Sequence, residues 1–139
     1  MEQARSVVEG FIVGSPYGKL LGVVSEAIEP DHVRVRLPFR EAVTTIGDMV
    51  HGGAIASLVD VAATAACWAS PTVDPTARGT TIGFSINYLN AGRGRDLVAT
   101  ADVLQRGKAI SVVQVVVRDA GGEVEVARAT VTYKLSGGK

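Results

Sequence analysis

The spacing of apolar residues changes several times along the chain, and each change marks an element. Val7, Val8, Phe11 and Ile12 recur at helical spacing, which predicts a short amphipathic helix ending near Gly14-Ser15-Pro16. Residues 19–29 read as a strand and Pro30-Asp31 as a turn. Over residues 32–37 the alternation is strict: Val33, Val35 and Leu37 point inward, His32, Arg34 and Arg36 outward. Pro38 closes that strand, and a polar loop over residues 41–48 leads to His51-Gly52-Gly53. A long Ala-rich helix follows, broken by Pro71, Asp74 and Pro75. The remainder is rich in Val, Ile and Thr and reads as four strands, residues 80–89, 97–105, 109–118 and 123–135, with turn signals between them. In the last of these the apolar phase flips between Val124, Val126 and Ala129, Val131, Tyr133, which predicts a β-bulge near residues 126–128. The order is two strands, one long helix and four strands in a meander. The expected class is α+β: one antiparallel sheet with a long helix covering one face, in a single domain over residues 1–139.

The long helix carries the candidate chemistry. Ile55, Leu58, Val59, Ala62 and Ala66 form the face expected against the sheet. Ser57, Asp60, Thr64 and Cys67 form a second stripe, flanked by Ala56, Ala63 and Ala65, residues small enough to let another surface approach. Asp60 is the only ionisable carboxylate of this helix; it is either a solvated residue on an exposed face or a functional group. The glycines weigh toward function. Gly52 and Gly53 sit where the helix should begin, so backbone N–H groups and the helix dipole there favour a developing negative oxygen. A carbonyl placed there would be polarised. Asp60 lies seven residues beyond Gly53, roughly 10 Å along the axis at about 1.5 Å per residue. One carbonyl is out of reach of both groups of the same helix, whereas two helices related by a twofold axis can supply one group each. The spacing therefore suggests a dimer with shared sites.

Composition narrows the function classes. The chain has 14 Lys+Arg against 14 Asp+Glu, so it has no overall basic field for nucleic acid or an acidic membrane, and Arg93-Gly94-Arg95 is too short to create one. The most apolar stretch, residues 54–69, is too short to span a bilayer and contains Asp60. The N-terminal residues lack a signal-peptide pattern. Cys67 is the single cysteine, excluding an intrachain disulfide and suggesting a reducing compartment; the expected location is cytoplasmic. In an apolar helix without a His or Asn constellation, Cys67 reads as structural. Two histidines and one cysteine give no metal-ligand spacing. His32 reads as solvated, and Arg106-Gly107-Lys108 reads first as a hairpin turn.

His51-Gly52-Gly53 followed by Leu58, Asp60 and Ala66, then "TTIGFSINYLNAG" from Thr80 and "LQRGKAISVVQVVV" from Leu104, resembles the hotdog-fold acyl-CoA thioesterases, most closely the phenylacetate-pathway (PaaI-like) type. The likeness runs in matching order from Gly14 to Tyr133. It implies an antiparallel sheet wrapped around a long central helix, with a short N-terminal helix. It implies that the Gly53 N–H polarises the thioester carbonyl and that Asp60 of the other subunit acts as general base or nucleophile. His51 would fix the loop, and Thr64 and Thr81 would orient water or substrate. Thr45 stands where related enzymes commonly carry Asn or Gln, and its hydroxyl is shorter, with one donor instead of two. Gly52, Tyr88, Asn90 and Arg93, with Gln105, Arg106, Gly107 and Lys108, would hold coenzyme A, with Arg93, Arg106 and Lys108 meeting phosphates. Coenzyme A would belong to the substrate, so no cofactor is implied, and the assembly would be a homodimer or a tetramer built as a dimer of dimers. A hydratase or dehydratase on acyl thioesters and a non-catalytic acyl-CoA-binding protein are the alternatives on the same fold; the first needs an acid and a base converging on one substrate, and a second catalytic partner for Asp60 is not visible.

Overall fold

The computed structural model describes residues 1–137. The N-terminal segment is helical, as its spacing predicts: α1 (Glu2–Val7) continues without a break into one π-helical stretch, Val8–Val13. The chain does not then enter a strand. Pro16–Leu21 forms α2, so residues 19–21 of the expected strand are helical. The reason is local. The Ser15 hydroxyl accepts the Gly18 N–H, Pro16 occupies the first turn where its missing N–H costs nothing, and Gly22 ends the helix at φ 79°. Strand β1 is confined to Val24–Glu29 and pairs with β2 (His32–Leu37) through a turn in which Asp31 takes φ 61°.

Helix α3 (Gly52–Trp68) starts at the two glycines and stops before Pro71. Strands β3 (Ala77–Tyr88), β4 (Leu97–Arg106), β5 (Ile110–Asp119) and β6 (Glu125–Gly137) follow. They do not form a four-strand meander. The sheet runs β1-β2-β4-β5-β6-β3, antiparallel throughout, so β4 joins β2 and β3 lies at the far edge against β6. Propensity marks strands but carries no information about their neighbours. The bulge falls where the phase flip puts it: Val117 pairs with Ala127 and Arg118 with Glu125, which leaves Val126 unpaired and lets both Val126 and Ala127 be buried.

The sheet curls around α3. Leu58, Val59, Ala62 and Ala66 are fully buried against Val33, Val35, Leu97, Ala99, Val113, Val115 and Val131, also fully buried. Alanines on both sides of this contact let the helix lie close to the strands. Ala63 and Ala65 are also fully buried, which corrects their reading as a surface open to a partner; Ala56 alone of the three keeps partial exposure. His32 is not simply solvated either: half-buried, its Nδ1 lies 2.6 Å from Asp102 Oδ1 on the paired strand.

Candidate active site

Strand β3 lies along α3 in the opposite direction and ties to it at two points. At the helix start, the Tyr88 hydroxyl donates to the Gly52 carbonyl at 2.7 Å. Two turns later, the Thr81 hydroxyl donates to Asp60 Oδ1 at the same distance. Asp60 is half-buried, so one carboxylate oxygen is held by a hydroxyl while the group still faces an accessible surface. Apart from residues 105–108, the sequence-derived set therefore gathers into two clusters along the helix, and Thr81 joins Asp60 directly.

The first cluster surrounds the helix start. His51 is the N-cap, and its Nδ1 accepts the Gly53 N–H at 2.7 Å. The Gly53 N–H thus points at an acceptor at the exposed end of α3, where the helix dipole favours electron density. The Ser57 hydroxyl donates to the Gly53 carbonyl and meets the Tyr17 hydroxyl at 2.8 Å, a link from α2 that spacing did not foresee. Thr45, Gly52, Tyr88 and Asn90 line a cleft of about 360 Å³, with His51 and Gly53 in a neighbouring one of about 330 Å³. Asn90 donates to the Glu125 carbonyl, and Arg93 pairs with Asp48 at 3.1 Å on the rim.

The second cluster lies further along α3. Thr64 follows Asp60 by one turn, and beside it stands Tyr133, whose hydroxyl accepts the Trp68 Nε1–H at 3.0 Å. Burial raises the Tyr133 pKa above its ordinary value, so this hydroxyl keeps its proton. A Cβ at position 79 would fall 2.1 Å from the Tyr133 oxygen, so Gly79 is what lets the ring lie across β3. Tyr133 and Gly79 are absent from the sequence-derived set. A Tyr at an inward position of a strand needs a partner for its hydroxyl, and that was the available signal.

Gln105, Arg106, Gly107 and Lys108 stand apart from the helix start within one chain. Arg106 pairs with Asp31 at 2.7 Å and donates to the Ala66 carbonyl, so it fastens the β1–β2 turn to the C-terminal part of α3. Gly107 and Lys108 border a cleft of about 500 Å³ with Thr72, Asp74 and Ser136.

Cys67 is fully buried, and desolvation pushes its thiol pKa up to about 12. The expected result is that a thiol-reactive dye leaves Cys67 unmodified in the native protein and labels it completely in denaturant. Rapid labelling of the native protein would mean that α3 opens at this turn. Among the described residues, no group of three His, Cys, Asp or Glu side chains is placed to hold a metal ion, and no helix is long and apolar enough to cross a membrane.

A six-stranded antiparallel sheet curled around one long helix, with the Asp60 carboxylate and the Gly53 amide on that same helix, defines a hotdog protein. The chain belongs to the thioesterase superfamily, whose family profile matches residues 47–126, and is thus a thioester hydrolase by class. It is 30% identical to the medium/long-chain acyl-CoA thioesterase YigI of Escherichia coli, over 96% of this chain and 95% of that one. The same fold is found in a thioesterase family protein from Silicibacter pomeroyi (TM-score 0.89, 23% identity, 97% of this chain and 99% of that one). It recurs in the E. coli PaaI protein from the phenylacetic acid degradation operon (TM-score 0.86, 22% identity, 99% and 96%).

Proposed function

We propose that this protein hydrolyses acyl-CoA thioesters in a homodimer whose two active sites are each built from both chains. The observation that carries the reading is the Thr81–Asp60 hydrogen bond, which fixes one carboxylate oxygen on the accessible side of α3. The name of the E. coli relative supports a CoA thioester as substrate.

The dimer is supported by β3. Among the described residues, this strand has β6 on one side and no strand on the other. It also exposes Ile82 (56%), Phe84 (38%) and Tyr88 (50%). A long apolar edge of this kind pairs with another chain unless something blocks it. Antiparallel pairing about a twofold axis near Gly83 carries Tyr88 and the Gly52–Gly53 helix start of one chain toward Thr81 and Asp60 of its partner. In that arrangement the thioester carbonyl replaces the His51 imidazole as acceptor of the Gly53 N–H. Asp60 then takes a proton from water as the water oxygen attacks the carbonyl carbon, the oxyanion is held by the amide, and the C–S bond breaks with the proton passing to the CoA sulfur. Direct attack by Asp60, giving an anhydride that water opens, uses the same geometry. Thr45, Tyr88, Asn90 and Arg93 line the approach for the pantetheine arm, and Lys108 is the basic group of the β4–β5 hairpin left for a phosphate. The CoA moiety belongs to the substrate, and the reading requires no further cofactor.

Release of free CoA thiol from a series of acyl-CoAs tests the activity directly; no release from any member would overturn it. Light scattering tests the assembly. Phe84→Lys should yield monomers, because a charge on the edge strand opposes pairing, and the monomers should be inactive. A folded monomer retaining full activity would show that each site is complete within one chain.

A further inference from the structure

Beyond the carboxylate, the site continues into a cleft of about 610 Å³. Two lines of residues lead there. On α3, Thr64 lies one turn past Asp60; on β3, Gly79 lies two residues from Thr81 on the same face. Because the two elements run in opposite directions, both steps advance the same way, each by about 6 Å at about 1.5 Å per helical and 3.3 Å per strand residue. Thr64 and Gly79 both line the cleft, and the rest of its lining is Val7, Phe11, Ile12, Trp68 and Pro75 with two uncharged polar side chains, Gln3 and Tyr133. None of the lining residues is charged. Val7 ends α1 and Phe11 lies in the π-helical stretch that follows it, a distortion common at functional sites. A smaller cavity of about 90 Å³ lies against Val7 and Trp68 as well.

We propose that this cleft, between the N-terminal helical segment and the C-terminal half of α3, takes the apolar acyl chain of the substrate, with Val7 limiting the length of chain it holds. The proposal rests on the thioesterase reading above. Its volume falls in the range of sites that bury a small ligand. Its start one turn from Asp60 puts the thioester carbon at the carboxylate and the alkyl chain past Thr64 toward Trp68. The absence of charge disfavours acyl groups ending in a carboxylate, whose desolvation would go uncompensated.

Trp68 is the only tryptophan of the chain, so all tryptophan emission comes from this wall. The wild-type protein is titrated with S-decyl-CoA, a thioether that is not hydrolysed, and with CoA. The expected result is a saturable change of emission with S-decyl-CoA and none with CoA. In parallel, kcat/KM is measured for butyryl-CoA and decanoyl-CoA in wild type and in Val7→Trp. The bulkier wall should lower the decanoyl-to-butyryl ratio by about tenfold or more, the scale on which a filled apolar pocket discriminates. Hydrolysis with an unresponsive Trp68 and an unchanged ratio in folded Val7→Trp would overturn the cleft assignment and leave the thioesterase reading standing. A Trp68 response to the decyl chain without hydrolysis of any acyl-CoA would do the reverse. If Val7→Trp fails to fold, the emission titration decides by itself.

Discussion

Asp60→Asn is expected to leave a folded protein whose kcat for thioester hydrolysis is lower by about 100-fold or more, the usual scale for a positioned base or nucleophile. Asparagine keeps the size of the side chain and can still accept the Thr81 hydroxyl through its amide oxygen, so the tie between α3 and β3 survives. What is lost is the charge that takes a proton from water or attacks the carbonyl. Thr81→Ala should cost less, roughly tenfold, because it removes one hydrogen bond to a charged group while leaving the carboxylate in place. Matching circular dichroism and elution profiles would establish that both variants fold and assemble. Full activity in Asp60→Asn would move the chemistry to another group and with it the whole site.

Mixing two inactive chains should restore activity. Gly53→Pro removes the N–H that would polarise the carbonyl, and proline is tolerated in the first turn of a helix. The His51 ring, 3.0 Å from where a Cβ at position 53 would stand, loses its partner and must shift, so folding and dimerisation of this variant need to be verified first. In a heterodimer of Gly53→Pro with Asp60→Asn, one site receives both defects and the other neither. Random pairing makes about half of the dimers hybrid, each with one intact site, so about a quarter of wild-type activity should return under closed twofold symmetry. Verified heterodimers as inactive as either parent would mean that the amide and the carboxylate of one chain serve the same carbonyl. Their separation along the helix argues against that outcome.

Much of the architecture is local and was therefore legible in the residues. The limits of α3 follow from Gly52-Gly53 and Pro71, the faces of β2 from strict alternation, and the Val126 bulge from a phase flip that a regular strand cannot accommodate. Asp60, and its distance from Gly53, could be singled out because a carboxylate in an Ala-rich helix is costly without a partner or a task. The second helix, α2, was also written locally, in Ser15-Pro16 and Gly22, but the apolar residues around it resemble a strand at short range. The rest was set by contacts far apart in sequence. Pairing partners depend on which strands can bury their apolar faces around α3, so β3 moved to the far edge, a placement that no property of residues 77–88 encodes. Thr81 was named by family likeness, but its bond to Asp60 exists because that edge strand runs back along the helix. Tyr133 came to the site for the same reason: β6 pairs with β3, and Gly79 leaves room for the ring. Sequence by itself determined the elements and the chemical groups, since these depend on periodicity and side-chain type. Tertiary structure alone decided which groups meet and which edge stays open, because burial is satisfied by the whole sheet closing on one helix.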